Sequence, residues 1–104
     1  MAATVTNVGT NTSTSSSSTL TLGSVTASVG DWLVVMVAAN NAGAGGATAA
    51  TQSASDGAGN TYTLRGNVII RDPGSANDGC EFARFTCEVT SALSGGTITV
   101  TFQA

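Results

Sequence analysis

The sequence predicts an all-β fold, an antiparallel two-sheet β-sandwich of immunoglobulin-like or jelly-roll type. The β-branched residues Thr and Val occupy 17 and 10 positions, and both favour pleated, half-buried surfaces. Gly, Asn, Asp and Ser gather at intervals of about ten residues, the spacing of turns between short strands. Apolar residues recur at period two, with no stretch at the 3.6 period of a helix.

Taken in order, residues 4–8 (TVTNV) form the first candidate strand, followed by a Ser/Thr/Asn tract over residues 10–18 that is either a linker or an exposed polar strand. Leu20 and Leu22 share one parity and Val25, Ala27 and Val29 the other. Keeping both sets inward requires a break near Gly23 and Ser24. Gly30 and Asp31 turn the chain into WLVVMVAA, residues 32–39, which is apolar at both parities and so predicts a central strand covered on both faces. Within one antiparallel sandwich, one of those covers must come from a loop or a partner chain. Residues 40–52 (NNAGAGGATAATQ) and the turn-rich SDGAGN at 55–60 predict one long surface excursion.

Tyr62, Leu64, Val68 and Ile70 alternate with polar residues, and Gly66 on the same parity predicts a gap or bulge. Asp72-Pro73-Gly74 and Asn77-Asp78-Gly79 are turn signatures. In the returning strand Ala83, Phe85, Cys87 and Val89 face one way, and Cys80, Phe82, Arg84, Thr86 and Glu88 the other. After Ser94-Gly95-Gly96 a last strand sets Ile98, Val100 and Phe102 inward. The division expected is a polar N-terminal segment or arm over residues 1–19 and a single β-sandwich domain over residues 20–104.

Composition narrows function chiefly by exclusion. Gly, Ala, Ser and Thr make up 58 of the 104 residues, so large aliphatic side chains and Phe suffice for one thin core. With no His, no Lys and three Arg, general-base, Schiff-base and most metal chemistry lacks its usual groups. No enzyme, cofactor or metal site is expected. A net charge of −3 and a pI near 4.2 argue against a nucleic-acid partner, since phosphate binding needs clustered cations. No apolar run approaches the about 20 residues of a membrane span, and residues 1–18 lack the basic and apolar regions of a secretory signal. Synthesis in a host cytoplasm is the expectation. Cys80 and Cys87 lie seven apart on one strand, about 23 Å at 3.3 Å per residue, so free thiols are expected.

Asp31, Asp56, Asn60, Asp72 and Asp78 read as turn residues rather than calcium ligands, and Glu81 and Glu88 as solvated surface. Trp32, Tyr62 and Phe82 are the candidates for an aromatic sugar platform, with Trp32 and Tyr62 expected in the core. Phe82 and Arg84 on the polar face have the character of an interface anchor. Together with Asn41, Gly43, Gly45 and Gly46 of the small-residue loop they form the candidate interface. The Thr-rich faces and the N-terminal tract offer backbone suited to strand addition.

The strings GDWLVVMV (30–37), SDGAGNTYT (55–63) and FARFTCEVTSALSGGTITVTF (82–102) resemble small β-sandwich domains of bacteriophage virion proteins. That resemblance implies a capsid decoration, or cement, protein that binds the major capsid protein and copies of itself, as trimers in one form, and resides in the virion. Two other roles fit the same residues. One is a phage tail or surface adhesion module that binds host glycan, and the other is a surface-fibre subunit joined by strand exchange.

Overall fold

The chain forms six strands in a computed structural model that describes residues 3–14, 17, 19–40, 52–71 and 79–101. They are β1 (Thr19–Ala27), β2 (Trp32–Asn40), β3 (Ser53–Asp56), β4 (Thr63–Arg71), β5 (Gly79–Glu88) and β6 (Leu93–Thr101). No helix occurs among the described residues. One antiparallel sheet has the order β1-β6-β3 and the other β2-β5-β4, and the two pack face to face as a small β-sandwich. Only β4 and β5 are neighbours both in sequence and in a sheet, so the β1–β2, β2–β3, β3–β4 and β5–β6 connections all cross between sheets.

The first crossing shows how little sequence a connection needs. Gly30 takes φ +94°, open to glycine at low cost. Asp31 Oδ2 accepts from the Ser28 N–H at 2.8 Å, and its own N–H donates to the Ser28 carbonyl at 3.0 Å. Gly30 N–H donates to the Val89 carbonyl at 2.9 Å and Val89 N–H to the Asp31 carbonyl at 2.8 Å, fastening the turn to the end of β5. Because β1 ends at Ala27, Val29 falls in this turn and is exposed rather than inward.

The core forms two clusters along the sandwich. Val25, Ala27, Leu33, Cys87, Val89, Leu93 and Ile98 fill one, and Val37, Ala83, Phe85 and Val100 the other. Val35 and Tyr62 pack against both. The expected break in β1 is present as a register shift between Leu22 and Val25, with φ +59° at Ser24 rather than at Gly23. It restores inward parity, since Leu20 and Leu22 lie opposite Val100 and Ile98 while Val25 lies opposite Gly96. Ser94, Gly95 and Gly96 lie within β6 instead of preceding it, and Gly96 leaves room for the Leu93 side chain, which stands 2.8 Å from where a Cβ would be.

Several expectations are corrected. Residues 4–8 form no strand; they have no ladder partner among the described residues. The excursion after β2 contains a short strand, β3, which pairs with β6 as an edge. The strand expected to be central, β2, is an edge that among the described residues pairs only with β5, and β5 is the centre of its sheet. The Asp72-Pro73-Gly74 turn, Asn77 and Asp78 of the second turn signature, Phe102 and the Ile70 side chain lie outside the described set, and Gly79 begins β5.

The inward and outward faces differ sharply in their expected response to truncation. Phe85→Ala should cost about 3 to 5 kcal/mol, whereas Val34→Ala, on the outer face of the same sheet, should stay within about 0.5 kcal/mol. Urea denaturation of the two variants checks this.

Candidate functional site

Two places carry more than fold-forming residues: a polar knot at one end of the sandwich and the outer face of the β2-β5-β4 sheet. The knot begins with the pairing of β3 and β6, which sets Ala54 opposite Val100 and Asp56 opposite Ile98, on the core side. A carboxylate there needs donors, and the next six residues supply them. Ala58 N–H donates to Asp56 Oδ1 at 2.9 Å, Asn60 N–H to Oδ1 at 3.2 Å, Asn60 Nδ2 to Oδ2 at 3.0 Å, and Tyr62 Oη to Oδ2 at 2.8 Å.

Asn60 is buried and reaches across the fold with its other bonds. Its Nδ2 also donates to the Ser91 carbonyl at 2.9 Å, while its Oδ1 accepts from the N–H groups of Thr90 and Ser91, each at 2.9 Å. Burial pushes the Asp56 carboxyl up, but the four bonds from Asn60, Tyr62 and Ala58 outweigh it and hold it below its ordinary 3.8. Burial, then the Asp56 bond and charge, pushes the Tyr62 phenol far above 10.0. Burial and then the same carboxylate push the Cys87 thiol up. These groups are held in their resting protonation states, with every Asp56 bond directed to its own chain; the arrangement fastens two turns together. Asp31 and Asp56 thus both act in turns, and among the described residues no three His, Cys, Asp or Glu side chains cluster to hold a metal ion.

The outer face is built by cross-strand register. Trp32, Val34, Met36 and Ala38 of β2 lie opposite Glu88, Thr86, Arg84 and Phe82 of β5. On β4 a bulge between Leu64 and Gly66 inserts Arg65 and reverses parity, so Leu64 sits opposite Phe85 on the core side but Val68 sits opposite Phe82 on the outside. Val68 was expected inward. Arg65 Nε donates to Thr86 Oγ1 at 2.7 Å on this face. Trp32 is 61%, Met36 66%, Val34 58%, Val68 55% and Phe82 42% exposed. The expectation that Trp32 is core is therefore overturned, because its strand is an edge whose outer face nothing in the described chain covers.

Of the candidate interface residues, Phe82 and Arg84 lie together on this face. Asn41, Gly43, Gly45 and Gly46 lie outside the described residues. The aromatic trio does not meet in one platform: Tyr62 is half-buried against the core, and Trp32 and Phe82 are six register steps apart along the sheet, about 20 Å. Cys80 is exposed and Cys87 buried, both as free thiols. Glu81 was expected on the surface, yet its parity on β5 turns it inward and it is 2% exposed. The chain matches no protein-family model, and no curated protein or solved structure is significantly similar to it.

The knot has a pH signature. Asp56, with its carboxyl depressed in the fold, contributes stability that is present above the unfolded value near pH 4 and is lost as the pH falls through the folded value. Asp56→Asn should cost about 1 to 3 kcal/mol at pH 7. That difference should shrink as the pH is lowered from 5 toward 3, which denaturation at several pH values measures.

Proposed function

We propose that this protein is a non-enzymatic structural module that docks on a larger protein assembly through the outer face of the β2-β5-β4 sheet. The specific form proposed is capsid decoration: a virion protein that binds and stabilises a phage shell. The observation that carries the docking reading is the bare apolar face. Antiparallel sheets that face water alternate apolar-in with polar-out, and monomers seldom leave a contiguous row of large apolar side chains uncovered. Here Trp32, Val34, Met36, Val68 and Phe82 share one exposed face. Arg84, Arg65 and Glu88 stand among them, the mixture of apolar anchors and charged neighbours found at protein interfaces. The shell as partner draws on the sequence resemblance to virion domains and on the scarcity of catalytic side chains.

The adhesion alternative draws on the exposure of Trp32, and a shift of its emission on titration with oligosaccharide would favour that reading.

Reconstitution onto assembled shells lacking the protein tests the proposal. Stoichiometric binding and a higher shell melting temperature are expected for the unmodified chain. Met36→Asp and Phe82→Asp should each weaken binding by about tenfold or more while the circular dichroism spectrum is unchanged. Thr97→Asp, on an exposed position of the other sheet, should bind normally. Absence of binding by the unmodified chain contradicts the shell role; equal binding by all variants contradicts the assigned face.

A further inference from the structure

We propose, on the premise that the outer face is where the protein docks, that the partner presents an acidic segment whose carboxylate is received by Arg84 and Arg65 beside a notch at Gly66. The chain has three cationic side chains and a net charge of −3, yet two of the three stand on this face. Arg84 lies opposite Met36 on one side and Gly66 on the other. The bond from Arg65 Nε to Thr86 Oγ1 holds the second guanidinium two residues from Arg84 along β5, or about 7 Å. Among the described residues Arg84 has no hydrogen-bond or ion-pair partner, and Arg65 has no ion pair. Glu88 shares the face but is four residues from Arg84, about 13 Å along β5. Asp31 lies in the β1–β2 turn, Asp56 in the polar knot, and Glu81 is buried on the inner side of the sheet.

Docking here has to cover a guanidinium. Met36 neighbours Arg84 across the ladder and Phe82 precedes it by two residues on β5, so a surface that buries both apolar side chains also takes water from the cation beside them. Burying that cation without an acceptor is costly. A carboxylate on the partner removes the cost, because a guanidinium can bond it with two parallel N–H groups. Gly66 leaves the room for it. Its φ is not positive, and nothing lies within 4 Å of where its Cβ would stand, so neither backbone conformation nor internal crowding calls for glycine. Glycine weakens a strand interior and marks places where another chain or ligand approaches closely, and here the missing side chain opens space next to Arg84. The apolar neighbours and the acidic net charge favour a protein carboxylate over the phosphates of a nucleic acid.

The test is isothermal titration calorimetry of the full chain with a soluble β-hairpin peptide that carries one Asp between two Val on one face, and with the same hairpin bearing Asn. The Asp hairpin should bind about tenfold tighter, a preference that shrinks as salt is raised. Arg84→Gln should abolish the preference. Gly66→Thr should weaken binding of the Asp hairpin by about tenfold without lowering the melting temperature. Equal affinity for the two hairpins, no binding of either, an undiminished preference in Arg84→Gln or normal binding by Gly66→Thr overturns the proposal. Assembled shells separate it from the outer-face reading: if Met36→Asp loses shell binding while Arg84→Gln retains it, docking through the face stands and the acidic partner falls. Arg84-dependent binding of a thymidine decamer tighter than that of the Asp hairpin would overturn the proposal in favour of a nucleic acid. Arg84-dependent self-association in sedimentation velocity would overturn it in favour of a second copy of this chain.

Discussion

Asn60 ties the two sheets together at one end of the sandwich. Its carboxamide lies in the crossing from β3 to β4 and bonds to Thr90 and Ser91 in the crossing from β5 to β6. Each sheet gives one strand to each of these crossings, so fixing one against the other fixes sheet against sheet. Asp56 in turn fixes Asn60 through both its side chain and its N–H, and Tyr62 joins from the same loop while packing against both core clusters. A chain in which small side chains dominate cannot close every interface with hydrocarbon. Satisfied polar groups in a partly dry site take over part of that role, because each lost partner would leave a buried group unpaired.

The same scarcity accounts for what is left bare. Phe85, Val25 and Val89 go into the single layer between the sheets, and nothing in the described chain is left over to cover β2. Its inward residues Leu33 and Val37 are buried, but its outward residues are as apolar as the inward ones and stand in solvent. Trp32, Val34 and Met36 thus stand in solvent along one edge strand, and the docking proposal rests on that row.

Much of this architecture is legible in the sequence. The alternation of residues 83–89 and 98–100, the turn at Gly30 and Asp31, and the parity break after Leu22 all rest on local chemistry and appear as read. What fails is what depends on distant partners. An apolar run at both parities says that both faces of β2 are greasy, not that both are covered, which is why the sequence points to a central strand and a core Trp32 where the fold has an edge. Gly66 marks a bulge, but the sequence does not say that the extra residue is Arg65 or that Val68 is thereby sent outward. Asp56 and Asn60 have turn-forming character, and their inward placement depends on β3 pairing with β6. Glu81 follows the parity of β5 into the interior, against the usual preference of a carboxylate for water.

Trp32, the only tryptophan of the chain and one of the most exposed residues of the bare face, reports directly on whether that face makes the proposed contact. The decisive measurement is its fluorescence emission and its quenching by acrylamide, in the free protein and bound to assembled shells. The account predicts solvent-exposed, readily quenched emission when free, and a blue shift with loss of quenching on binding. Emission that is already shielded in the free chain, or that is unchanged when the protein is bound, would contradict it.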